Sequence, residues 1–131
     1  MKKFITLLFV IYSINSFSQS AEKRDGYNSI YSLNGIEVKP EFPEGIEKLN
    51  SYIKENFQKT AFEKPVKEKF ISSFIIEKDG SLSDIKILGK TDSRIADELI
   101  RILKSAPKWN PGKQNEVIGR VLYALPIVIS N

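Results

Sequence analysis

Three carboxylates crowd one short stretch of the chain, Glu77, Asp79 and Asp84, around the run Lys78-Asp79-Gly80-Ser81. Paired carboxylates are what general acid–base chemistry needs, one kept protonated to donate and one ionised to accept. A plainer account is sufficient: Asp-Gly closes a tight turn, and acidic side chains on the flanking strands face water. The same residues lack the spacing of a calcium loop or a phosphate cradle. With no His and no Cys in the sequence, the Ser-His-Asp arrangement, the usual zinc ligands, thiolate sites and disulfides are all excluded. Trp109 stands beside Pro107 and Pro111; it could stack on a ligand, but a Trp so placed is expected to pack over a helix end. These residues predict no enzyme, no cofactor, no metal site and no small-molecule substrate.

The elements around these residues follow from periodicity. Phe70 to Glu77 is rich in aromatic and β-branched residues, and Leu82 to Leu88 alternates Ile85 and Ile87 with Asp84 and Lys86, so the two runs read as a β-hairpin. Phe74, Ile75 and Ile76 make the first strand apolar on both faces, which suits the middle of a sheet. Upstream lies Pro40-Glu41-Phe42-Pro43-Glu44-Gly45, whose second proline is placed to open a helix. In that helix Ile46, Leu49, Ile53 and Phe57 recur three or four apart, with Glu47, Lys48, Lys54 and Glu55 on the opposite face. Gln58 to Lys67 shows no period and reads as a loop.

A second helix has Asp92 or Ser93 as its cap, an apolar stripe of Ile95, Leu99, Ile102 and Leu103, and a stop at Ala106-Pro107. The last long run, Val117 to Ser130, puts Val121, Tyr123, Leu125, Ile127 and Ile129 on one side of a pleat. Pro126 inside it cannot donate to a ladder, which argues for a strand at the sheet edge. The crossover helix returns the chain parallel to the second hairpin strand, so antiparallel pairing requires the first strand as neighbour. The expected fold class is therefore α+β: a three-stranded antiparallel sheet, order 2-1-3, with two helices packed on one face.

The first twenty residues, MKKFITLLFVIYSINSFSQS, start with two lysines, continue as an apolar run from Phe4 to Ile14 and finish small and polar, the pattern of a secretory signal. That run is short of the roughly 20 apolar residues a membrane-spanning helix needs. Two cleavage points fit, before Gln19 or before Ala21, and the first is favoured, giving a signal at 1–18, a polar linker or short strand at 19–39 and a domain at 40–131. Loss of Lys2 and Lys3 lowers 20 basic residues to 18 against 16 acidic, a net charge of +2, too small to imply nucleic acid. At 131 residues and 41% apolar, with charges interleaved, the chain is sized for one core.

Taken together, PEFPEGIEKLNSYIKENF, FIIEKDGSLSDIKIL, the helix ending in APKWNPGKQN, and RVLYALPIVI resemble the C-terminal domain of TonB proteins, from Pro40 to Ile129. Two positions depart from the usual pattern: Glu44 stands where relatives often have Gly, and Glu116 follows Gln114-Asn115 where Gly is common. The resemblance implies a periplasmic module linked to TonB-dependent transmembrane transport. It would grasp an extended peptide, the TonB box of outer-membrane transporters, as an added strand. The edge implied is Val121, Leu122, Tyr123, Ala124, Leu125, Ile127, Val128 and Ile129. An apolar edge of that length needs a cover, and the competing covers are the segment Ala21 to Lys39 or a second copy of the chain in a homodimer. A full energy transducer has an uncleaved anchor and a long Pro-rich spacer. Here about twenty residues separate Ser20 from Pro40, at most some 70 Å when extended, so an accessory, competitor or adaptor is expected instead of a force-transmitting protein.

Overall fold

The computed structural model describes residues 28–57, 62 and 65–130. The expected signal, 1–18, and residues 19–27 after it lie outside the described residues. Helix α1, Ile46–Phe57, buries Leu49, Ile53 and Phe57, the spacing that a 3.6-residue period dictates. Ile46 departs from the expected stripe and is 37% exposed. Pro43 opens a turn and not the helix. Gly45 N–H donates to Phe42 O at 2.9 Å, with Glu44 at φ 67°; proline second and a positive φ third are the marks of a type II turn.

The hairpin pairs β2, Lys67–Ile76, with β3, Leu82–Leu88. Between Ser73 and Ile75 the register shifts, and Asp84, at φ 47°, is the extra residue of a β-bulge. The bulge lets Leu82 reach the same core as Ile85 and Ile87, although strict alternation from Ile85 would send it to the other face. Helix α2, Ser93–Ser105, is capped by Asp92, whose side chain accepts from the Arg94 N–H at 2.8 Å. Its buried residues are Ile95, Leu99, Ile102 and Leu103. Both helices pack on the sheet face formed by Phe70, Phe74, Ile76, Leu125, Ile127 and Ile129.

The expected three-stranded antiparallel sheet is corrected to a five-stranded mixed one, in the order β1-β5-β2-β3 with β4 also pairing β5. The additions are β1, Ile30–Ser32, parallel to the long strand β5, Val117–Ser130, and β4, Gly112–Gln114, antiparallel to it. Both are three residues long, too short to carry a period, which is why alternation does not reveal them. β4 and β5 are joined by Asn115 and Glu116, at φ 52° and 66°, a two-residue turn of the mirror-image kind that matches strand twist and ordinarily favours Gly at its second position. β1 is fixed by packing: a Cβ on Gly119 would stand 2.8 Å from Cε2 of Tyr31, so the ring lies directly over a glycine backbone. Val38 bridges to Lys113 and Glu41 to Asn110, so residues before Pro40 belong to the same body as the sheet.

Candidate functional site

Pairing along β5 is uneven. Val121 and Leu122 are flanked on both sides, by Ile76 and Ile75 of β2 and by Tyr31 and Ser32 of β1. From Tyr123 to Ser130, β2 is the only strand partner among the described residues. The edge expected from Val121 to Ile129 is therefore shortened: the segment weighed as its cover, Ala21 to Lys39, does cover its head through β1. Pro126, opposite Ile71, lies in the one-sided stretch, where a missing N–H is tolerated.

The expected edge residues sort by face. Val121, Leu125, Ile127 and Ile129 are sunk in the core, so only their backbone is available to a partner. Leu122 at 47% and Val128 at 69% are exposed, and Ala124 and Pro126 share their outward face. Tyr123 is half-buried, and that burial pushes its hydroxyl above the ordinary tyrosine value. The hydroxyl therefore keeps its proton near neutral pH and can donate.

Two hollows flank the one-sided stretch. One of about 530 Å3 lies between the Pro40–Ile46 turn and Tyr123. Phe42, Trp109 and Tyr123 form its aromatic part, with Trp109 ring centroids 5.4 Å from Phe42 and 5.0 Å from Tyr123. Glu41, Glu44 and Asn110 supply its polar lining. The second, about 230 Å3, is walled by Asn50, Ser51 and Lys54 of α1 and by Pro126 and Val128 of β5. Ile46, Asn50 and Lys54 are spaced by four on α1, one stripe beside the buried one. Ile46 lines the first hollow, and Asn50 and Lys54 line the second.

Trp109 is packed, only 3% exposed, but the rings it meets are Phe42 of the turn and Phe74 and Tyr123 of the sheet instead of residues at the expected helix end. Its indole N–H is buried without an acceptor among the described residues. The loop carrying it docks on the hairpin turn: Trp109 N–H donates to Gly80 O at 2.9 Å.

The three carboxylates have structural partners. Glu77 accepts from Arg120 Nε at 2.7 Å and from Ser83 Oγ at 2.6 Å. The Arg120 bonds hold its carboxyl below the ordinary glutamate value, against a smaller upward push from burial. Asp79 Oδ1 accepts from the N–H and Oγ of Ser81, which likewise lowers it. Asp84 occupies the bulge, 3.5 Å from Lys86. Arg120 also donates to Asn28 O at 3.1 Å, so one guanidinium ties the hairpin to the entry of β1.

No helix among the described residues is long and apolar enough to cross a membrane. Comparison of the chain with protein-family models, curated proteins and solved structures gives no match.

Proposed function

We propose that this protein is a non-enzymatic binding module of the cell envelope, exported to the periplasm, that takes up an extended peptide as an added strand along Tyr123–Ser130 of β5. One observation supports it above the rest: this eight-residue stretch has a strand partner on one side alone among the described residues, with one hollow beside Tyr123 and another beside Pro126 and Val128. Unpaired backbone groups supply affinity in strand addition, and the neighbouring side chains select sequence. The resemblance to the TonB C-terminal domain supplies the partner class, the N-terminal peptide segments of TonB-dependent outer-membrane transporters.

An NMR titration with such peptides tests the reading. Shifts concentrated on the amides of Tyr123 to Ser130 support strand addition; no shift at millimolar peptide removes it. A second reading is self-association, favoured by the exposed apolar side chains of Leu122 and Val128 on the same strand, with Ile71 and Leu88 exposed on β2 and β3. In that case the mass in solution doubles as concentration rises.

A further inference from the structure

We infer that the hollow between the Pro40–Ile46 turn and Tyr123 is a subsite for a lysine or arginine side chain of the added strand, an inference that rests on the strand-addition reading above. Position comes first. β1 pairs as far as Leu122, and Tyr123, the next residue, lines the hollow. A strand laid on β5 beyond β1 therefore has a residue beside Tyr123. Side chains of a strand alternate between faces, and one of two successive residues there is directed to the helix-bearing face, where Tyr123, Phe42 and Trp109 pack together.

Chemistry selects what fits. The volume, about 530 Å3, is within the range of sites that enclose a ligand group. The half-buried ring of Tyr123, backed by the nearly buried Phe42 and Trp109, offers the aromatic surface that attracts a cation, with Ile46 beside it for an aliphatic stem. Two of the lining residues, Glu41 and Glu44, carry carboxylates and none carries a cation. Glu44 is also 3.6 Å from Lys48, an exposed pair that holds it weakly. A glutamate or aspartate entering here meets two like charges, and an aliphatic side chain adds no counter-charge to them beyond the exposed Lys48 beside Glu44. The hollow farther along β5 has the opposite sign, with Lys54 beside Pro126 and Val128, so a basic residue is favoured at the hollow beside Tyr123 alone.

The test is a lysine walk. Extended peptides of eight residues each carry a single Lys at a successive position, and at the best position Lys is replaced by norleucine and by Glu. Binding is measured by calorimetry on the protein and on its Glu41→Gln/Glu44→Gln variant. Both glutamates are exposed, and the Glu41–Asn110 bridge is made by backbone, so the variant keeps the fold. At low salt we expect Lys to bind about tenfold tighter than norleucine, with Glu weakest, and the gap to shrink in salt. In the variant the lysine advantage should fall severalfold, to the smaller preference that the aromatic lining alone supports. A lysine preference of unchanged size in the variant, or equal binding of all three to the unaltered protein, overturns the subsite while strand addition stands. Binding of no peptide at all removes strand addition itself, and the subsite with it.

Discussion

Glu116 and Glu44 stand at φ 66° and 67°, where an L side chain meets the following carbonyl at a cost of roughly 1–2 kcal/mol that glycine escapes. Both are turn positions that ordinarily favour Gly: one is the second residue of a mirror-image hairpin turn, the other the third of a type II turn. Relief is partly offset by the extra freedom glycine has when unfolded, so Glu116→Gly should stabilise by up to about 1 kcal/mol in urea unfolding. Gly80 is the reverse case. At φ 86° a Cβ there would stand 2.1 Å from Trp109 O, a clash with backbone that no rotamer relieves. Gly80→Ala should cost about 2–3 kcal/mol in the same measurement.

Among elements, β1 is the least secured by its own ladder, three residues paired in parallel, and it depends on Arg120 and on Tyr31 over Gly119. Arg120→Ala should speed hydrogen exchange at Ile30–Ser32 well before it affects β2, whose ladder runs ten residues along β5. The partner carboxylate gives this contact a pH dependence. The Glu77 pKa is lowered in the folded state, so its stabilisation is complete above the unfolded glutamate value, about 4.3, and is lost as pH falls through the folded value. Asp79 and Asp92 are lowered too, so the comparison must be with Glu77→Gln: the stability difference between the two proteins should narrow from pH 6 to pH 3.

For the whole molecule, the helices bury one sheet face and leave Ile71, Leu88, Leu122 and Val128 exposed on the other. Two of the four, Leu122 and Val128, are on β5 itself, and exposed apolar side chains on a strand with a one-sided stretch are a place for association. Val128 is the most exposed of the four, and a charge there opposes edge pairing without disturbing the core. Val128→Lys should keep the thermal midpoint within about 2 °C, since exposed substitutions usually change stability by no more than about 0.5 kcal/mol. It should also abolish any concentration-dependent rise in mass seen by sedimentation.

Local pattern was sufficient for the helices, the hairpin and the long last strand, because each buries a face whose period, 3.6 or 2, is written in consecutive side chains. Ile95, Leu99, Ile102 and Leu103 could be assigned to the core before any coordinates, and the absence of His and Cys excluded whole chemistries by itself. Elements held by distant contacts were not legible. β1 exists because Tyr31 finds a glycine 88 positions away and Arg120 reaches Asn28; three residues alone carry no such signal. That short strand covers the head of β5 and so moves the available edge to Tyr123. Ile46 obeys the apolar period yet is 37% exposed, and tertiary placement makes it a wall of a hollow. Composition and spacing determined what could be buried; which backbone groups stayed unpaired was decided by packing between residues far apart in the chain.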